Sequence, residues 1–414
     1  MNECEFYRVV LGLREPWEVK AVQVDVPEEK VEVTVGYKEG TLWACPESQE
    51  RLPVHDHVER RWRHLDTCQF VTELVCRVPR LRLADGRVWT VPVPWAEARS
   101  RFTSLFEQMA ISVLLGARSL KTAAEWLRLD WSAVDRIMKR AVERGLSRRS
   151  LEELRHLGLD EKSFLRGQSY ATVMVDLDPE APRVLEVVEG RSTASANAVL
   201  ATLPPAQRAQ IEAVAMDMSA PYQAAVAEVL PQAAVVHDKF HVSKLMGEAV
   251  DQVRRGEHQR LLGQGDERLK GTRYVWLYHP DELMARLGDD PARHEAFEAL
   301  ALSNIQTARA YYHRLQLLEF WEQPDIEEAQ RFFLHWYQEA QRCRLDPVKK
   351  VATTLKEHLL GLLQYFKHRI TNAVTEALNG SIQALKANAR GFRSFANFRT
   401  RILFFLGKLN LQPL

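Results

Sequence analysis

The sequence predicts a multidomain chain of mixed α+β and α/β class: a small β-rich module, a pair of short helices, and a mixed sheet interrupted by a long helical insert. Three observations predict it. Residues 1 to about 95 alternate with strand period, residues 155 to about 240 alternate strands with helices, and residues 242 to about 370 carry helical pattern with no strand signal. A length of 414 residues suits two to four domains. A hydrophobic fraction of 46% is enough to bury several cores. The formal net charge is +1, so attraction to a polyanion has to come from local patches. The opening "MNECEFYRVV" carries acids where a signal peptide needs basic residues, and no window is apolar for the length of a membrane span. Five cysteines, at 4, 45, 68, 76 and 343, are too few and too scattered for a disulfide framework, so a reducing cytoplasm is expected.

The first module is expected over 1–98. "WEVKAVQVDV" and "KVEVTVGY" read as strands around a "PEE" turn, and "TLWACPES" and "CRVPRLRLADGRVWTVPVP" as two smaller β units. Between them lies the basic-aromatic knot "ERRWRHLD". Residues 99–150 then read as a helix followed by a helix-turn-helix. Phe102, Leu105, Phe106, Met109, Ile111 and Leu115 line the leading helix. Ser119 caps the next, Leu129-Asp130 makes the turn, and Asp130 or Ser132 starts the last. That last helix is expected to expose Asp135, Arg136, Lys139, Arg140 and Arg144. Residues 101–150 hold ten Lys/Arg against five Asp/Glu, a local positive excess.

Residues 151–241 are expected to form the first part of the sheet domain. "HLGLDEKSF", "YATVMVDLD" and "RVLEVVEGR" read as three strands in series. A helix from "TASANAVLATLPPAQ", a strand "IEAVAMDM", a helix "PYQAAVAEVL" and a strand "AAVVHDKFHV" follow. Three strands, helix, strand, helix, strand is the order of a ribonuclease H-like core. Residues 242–368 read as the helical insert, punctuated by "LGDDP" and "EQPD", and 369–414 as the returning helix and a basic tail. In "ITNAVTEALNGSIQALKANARGF", Val374, Leu378, Ile382, Leu385 and Ala389 fall on one helical face. Asn372, Glu376, Asn379, Gln383, Lys386 and Arg390 fall on another. No acid follows Glu376, while Lys386, Arg390, Arg393, Arg399, Arg401 and Lys408 occupy the remainder.

Asp160 sits mid-strand after Leu157-Gly158-Leu159, Asp217 ends the fourth strand, and Glu376 lies on the polar stripe of the returning helix. In a ribonuclease H-like sheet the first and fourth strands are neighbours, so the two aspartates stand side by side. Their repulsion is relieved by a cation. Oxygen-only ligands suit Mg²⁺ or Mn²⁺, and a pair of such ions can clamp the attacking and leaving oxygens of a phosphoryl transfer. Asp176, Asp178 and Glu161 are acidic neighbours that compete for the same assignment.

"GLDEKSF", "AVAMDMSAPY", "VVHDKFHVSK" and "TNAVTEALNGSIQALKANARGFRSFANFRTRILF" together resemble the DDE transposases of bacterial insertion sequences, of the ISL-three type. "RRWRHLDTCQF" and "VPVPWAEARSRFTSLFE" extend the resemblance toward the N-terminus. The resemblance implies a metal-binding triad of Asp160, Asp217 and Glu376 holding two Mg²⁺ or Mn²⁺ ions. It puts Asp238 and His241 of "HDKFH" near that site, either orienting a phosphate or packed at a strand end, and Asn372, Lys386 and Arg390 beside it. It also implies a zinc-ribbon-like module. Here Cys45 of "WACPES" is followed by Ser48 where a second cysteine is expected, and Leu83 and Gly86 stand where the second ligand pair would fall. Four nitrogen or sulfur ligands are the usual requirement, so no zinc is expected.

The implied partner is double-stranded DNA, both transposon ends and target, handled by a homodimer or larger synaptic complex in the bacterial cytoplasm, near the nucleoid and away from membranes. Arg136, Lys139, Arg140 and Arg144 are the candidate DNA contacts of the helix-turn-helix, with Ser132–Val142 in the major groove and Trp131 a core or backbone-packing residue instead of a base reader. Lys386, Arg390 and Arg393 are expected on one helical face tracking phosphates. "ERRWRH" is either a further DNA contact or a structural seam. The competing functions are a domesticated, non-catalytic DNA-binding protein and a ribonuclease H-like nuclease that cuts without joining.

Overall fold

The computed structural model describes residues 2–413 except 166–168, 280–281, 284–290 and 304, together with the backbone but not the side chains of 291–293. It divides into two compact units, residues 1–149 with 409–414, and residues 150–408. The final six residues therefore fold with the first unit instead of completing the sheet domain.

In the first unit, α1 (Glu3–Val10) precedes β1 (Trp17–Asp25) and β2 (Lys30–Tyr37). A small hairpin, β3 (Trp43–Ala44) and β4 (Arg51–Leu52), separates them from β5 (Asp56–Arg63), β6 (Val71–Arg82) and β7 (Val88–Thr90). The sheet order is β1-β2-β6-β5, with β7 also on β6; β2 and β6 run parallel and the other pairs antiparallel. "ERRWRH" thus belongs largely to β5, where alternation turns Trp62 into the core and Glu59 and Arg61 outward. Trp17, Val33, Trp62, Leu74, Leu81 and Trp95 make that core. Three helices follow, α2 (Ser104–Ala117), α3 (Leu120–Leu127) and α4 (Trp131–Ser147). The side chains of Ser119 and Asp130 cap α3 and α4 by accepting from the N–H of Thr122 and Ala133. Arg128, in left-handed conformation, makes the turn between them.

The second unit is built on β8 (His156–Ser163), β9 (Tyr170–Asp176), β10 (Arg183–Glu189), β11 (Ala213–Met216) and β12 (Ala234–His237), ordered β10-β9-β8-β11-β12. The first three are antiparallel; β8, β11 and β12 are parallel. Helices α5 (Thr193–Ala201), α6 (Pro205–Arg208) and α7 (Ala220–Val229) connect the later strands. Leu157, Leu159, Met174, Leu200, Met216 and Val226 form a core between sheet and helices.

β12 stops at His237, and Asp238 occupies the N-cap position of α8 (Lys239–Leu262). The strand expected through "AAVVHDKFHV" is therefore half strand and half helix start, with His241 in the helix's first turn. The helical insert continues with α9 (Pro291–Leu302), α10 (Gln306–Glu319), α11 (Ile326–Arg342), α12 (Asp346–Glu357) and α13 (Leu359–His368). Of its expected break at "LGDDP", residues 287–290 lie outside the described residues. Its aromatic segments are core: Trp276, Tyr311, Phe320, Phe333, Trp336 and Phe366 are all buried together. The buried Glu257 of α8 accepts from the N–H of Gln306 (2.9 Å) and Thr307 (2.7 Å), capping α10 from a neighbouring helix. The chain then returns through α14 (Ala373–Asn388) and α15 (Phe395–Leu406).

Candidate active site

Leu157, Gly158 and Leu159 are fully buried in β8, and Asp160 emerges next, half-buried and opposite Val173 of β9. The parallel register pairs Ala215 with Gly158 and Met216 with His237. Continued toward the strand ends, it lines up Asp160, Asp217 and Asp238 on three adjacent strands. The N–H of Asp238 still donates to the Met216 carbonyl at 3.1 Å, so pairing persists up to that row. Three carboxylates thus meet at the carboxyl edge of parallel strands, the usual ligand crevice of an open α/β sheet.

The fourth acid arrives on α14, and Gly158 lets it in. A Cβ on residue 158 would stand 2.3 Å from Thr375 Oγ1 and 3.1 Å from Leu177 Cδ2, so only glycine allows the helix this close. Three contacts tie α14 along β8. Thr375 lies over Gly158, the Asn379 side-chain amide donates to Asp160 Oδ2, and Lys386 Nζ donates to the Ser163 carbonyl at 3.0 Å. From 375 to 386 the helix advances about 16 Å at 1.5 Å per residue, and from 158 to 163 the strand advances about 16 Å at 3.3 Å per residue. The two elements therefore run alongside each other in step. The stripe containing Glu376 and Asn379 faces the sheet's acids.

Electrostatics confirm the clustering. Burial raises the pKa of Asp160; the Glu161 N–H (2.7 Å from Oδ1) and His241 oppose this, and Asp217 adds to it. Burial also raises Glu376, reinforced by Asp238 and Asp160 and opposed by His241 and Lys162. His241 Nδ1 is 3.0 Å from Asp238 Oδ2; this bond, together with the charges of Asp238, Asp217 and Asp160, raises the imidazole against the effect of burial. Asp217 Oδ1 accepts from the Ser219 N–H at 3.0 Å. Asp176 is drawn away by Arg183 (3.1 Å) and Glu161 pairs with Arg191 (3.3 Å), so neither competes for the cluster. Asn372 is fully buried at the start of α14, and its amide atoms have no hydrogen-bond partner.

Asn379 is the site residue that sequence reasoning missed. Its signal was present, since it follows Glu376 by three on the same stripe. Arg390 and Arg393 are exposed but do not share a helical face with Lys386. The helix ends at Asn388, and Arg390 and Gly391 turn the chain with φ of 51° and 98°. Nor is the acid-free tail a free basic surface: Arg399 pairs with Glu186 (2.5 Å) and Arg401 is buried, its guanidinium over Phe392.

In the first unit, Arg136 of α4 is exposed, and Lys139 is paired with Asp135 at 2.7 Å. Arg140 is half-buried and bound to Glu107. Arg144 is buried instead of exposed, held by Glu97 (2.6 Å), Glu107 (3.1 Å) and the Leu411 carbonyl. It stands seven residues after the buried Ile137, which sets it on the inward face. Trp131 is 50% exposed, so of its two expected roles it is not a core residue. Beside α4 lies a cleft of arginines, Arg60, Arg61, Arg63, Arg99, Arg101, Arg128 and Arg136, interrupted by Glu59, Glu73 and Asp130.

Fold and site define a class, an acid-centred α/β enzyme joined to a helix-turn-helix. The chain belongs to the ISL3 family of transposases: residues 157–402, more than half its length, match the family's DDE transposase domain. Residues 91–142 match the helix-turn-helix domain of transposase family ISL3. The chain is 29% identical to the transposase for insertion sequence element IS1001 of Bordetella parapertussis, over 84% of this chain and 85% of that one. It is 25% identical to the transposase for insertion sequence element IS1557 of Mycobacterium tuberculosis, over 95% and 93%. It is a DNA-binding DDE transposase. No helix among the described residues is long and apolar enough to cross a membrane.

One expectation is overturned. Residues 41–82 match the zinc-finger of transposases IS204, IS1001, IS1096 and IS1165, which supports zinc binding where none was expected. Within that segment, hydrogen bonding by the Ser48 side chain, then by the Ser48 and Glu47 backbone, lowers the thiol pKa of Cys45.

Proposed function

We propose that this transposase cleaves and joins double-stranded DNA at a site built from Asp160, Asp217 and Glu376, with Asp238 and His241 alongside. The observation that carries the reading is the row of carboxylates at three adjacent strand ends, closed by a helix that Gly158 admits. The sheet order β10-β9-β8-β11-β12 supports a ribonuclease H-like core. The donor set fits Mg²⁺ or Mn²⁺. It consists of hard oxygens, and Asp160 and Glu376 are both raised in pKa, by burial first and by neighbouring carboxylates second. When bound, a pair of such ions supplies charge neutralisation at the attacking and leaving oxygens of an in-line displacement.

The chain's own residues do the positioning. The Glu161 N–H and Asn379 amide fix both oxygens of Asp160, and the Ser219 N–H fixes Asp217. His241, hydrogen-bonded to Asp238, which raises its pKa toward the cationic form, suits a phosphate. Arg390 and Arg393, exposed just past α14, suit the DNA backbone, and Arg136 and Lys139 suit the transposon ends. One site serves both steps, hydrolysis at each end and then attack of the freed 3′-hydroxyl on target DNA. Two ends must be held together, so a dimer or larger assembly is expected at work.

The test is strand transfer in Mg²⁺ with labelled end fragments. Asp217→Asn and Glu376→Gln are expected to lose at least about a hundredfold in joined product while still retarding the fragment on a gel. Joined product at wild-type level in both variants would overturn the assignment.

A further inference from the structure

Three metal-capable side chains gather at the strand end opposite Asp160. His156 is the first residue of β8, Glu212 directly precedes β11, and His368 closes α13. One ligand atom from each lies within 4.8 Å of the others, and His156 Nε2 is 3.9 Å from Glu212 Oε2. The imidazoles meet edge to face with centroids 5.9 Å apart. Nε2 of both rings is shut off from solvent without a hydrogen-bond partner, a costly state for a polar nitrogen. We propose that His156, Glu212 and His368 bind one divalent transition-metal ion of the zinc class, clipping two strand starts to the end of the helical insert.

Two imidazole nitrogens and one carboxylate oxygen, with a fourth position left for water, are a sufficient set for zinc. Tetrahedral ligands at about 2.0–2.1 Å from zinc lie about 3.3 Å apart. The observed spacing closes to that with small side-chain movements, and Glu212 is exposed and free to make them. Imidazole donors favour zinc, nickel or copper over magnesium, so this site differs in kind from the oxygen-only cluster. Two cations oppose binding. Arg155 lies 3.7 Å from Glu212 but has a second partner in Gln210, and Lys367 adjoins His368. His368 precedes the start of α14 by five residues, so the clip would steady the chain that delivers Glu376.

The experiment uses the full chain, stripped with EDTA and titrated with Co²⁺ and Zn²⁺ in excess Mg²⁺. Wild type is expected to bind one Co²⁺ more than His368→Ala, with visible ligand-field absorption that the variant lacks. Glu212→Gln is expected to weaken that equivalent by about a hundredfold or more. Cys45→Ser, which reports the zinc-finger segment, is expected to retain it. Zn²⁺ is expected to raise the melting temperature of wild type more than that of either site variant. Should His368→Ala fail to fold, Glu212→Gln decides, since Glu212 is exposed. Equal stoichiometry and affinity in wild type and Glu212→Gln would overturn the proposal.

Discussion

Asp160 is gripped from two directions, by its own strand through the Glu161 N–H and by α14 through Asn379. Asn379→Ala should therefore disturb the acid more than the fold. Single-turnover DNA cleavage is expected to fall about 10–100-fold, with a stability loss of no more than about 1.5 kcal/mol in thermal melting. His64 offers a pH test within the first unit. It is 2% exposed, its Nδ1 lies 2.9 Å from Thr103 Oγ1, and burial, with Arg63 nearby, holds its pKa down at about 4. The unfolded chain takes up that proton near pH 6.5 and the folded chain does not. Its stabilising contribution is complete above pH 6.5 and fades as pH falls toward 4, by about 3 kcal/mol. Denaturant melts across that range should show a flatter pH dependence in His64→Gln. At this scale the placement of Asp160 and Asp217 at neighbouring strand ends was legible, because each follows a run of apolar strand residues. Arg144 was not, because its two acids, Glu97 and Glu107, lie 47 and 37 residues away in sequence.

Strands β8, β9, β11 and most helices could be read from periodicity, since each buries a regular face. Where charge sits on the outward face, the signal blurs: "ERRWRH" is largely strand, yet only Trp62 and His64 of it are buried. The polar stripe of α14 is a different case. Its polar side chains were expected beside the acids, and Asn379 and Lys386 on it contact β8. Gly158 is the hinge of this arrangement. Gly158→Ala is expected to cost about 1–3 kcal/mol by overpacking and to reduce cleavage. Adding Thr375→Ala removes the nearest clashing atom, Oγ1, and should recover part of both losses. Melting and cleavage measured over the double-mutant cycle check the coupling.

The molecule as a whole is almost neutral, at +1, yet it binds a polyanion. The arginine cleft of the first unit concentrates positive charge locally. Arg99 and Arg101 form no ion pair among the described residues, whereas Arg61 is tied to Glu32 at 2.6 Å. Alanine at 99 or 101 is expected to reduce the slope of log K against log salt by about 0.9 per lost phosphate contact, measured by fluorescence anisotropy on an end fragment. Alanine at 61 is expected to change it less. Domain order was legible because each stretch carries its own period. The assignment of the last six residues to the first unit was not, because nothing local in "LNLQPL" says which core receives it.

The polypeptide leaves the second unit's sheet at Asp238 and comes back at Asn372, and both places border the proposed site. Everything spliced between them is a closed detour whose two feet stand beside that proposed centre. A protein that seized the far side of that detour would hold a handle on chemistry it never touches. Squeezing or twisting the bundle would tilt Glu376 against its partners and throttle the enzyme without competing for DNA.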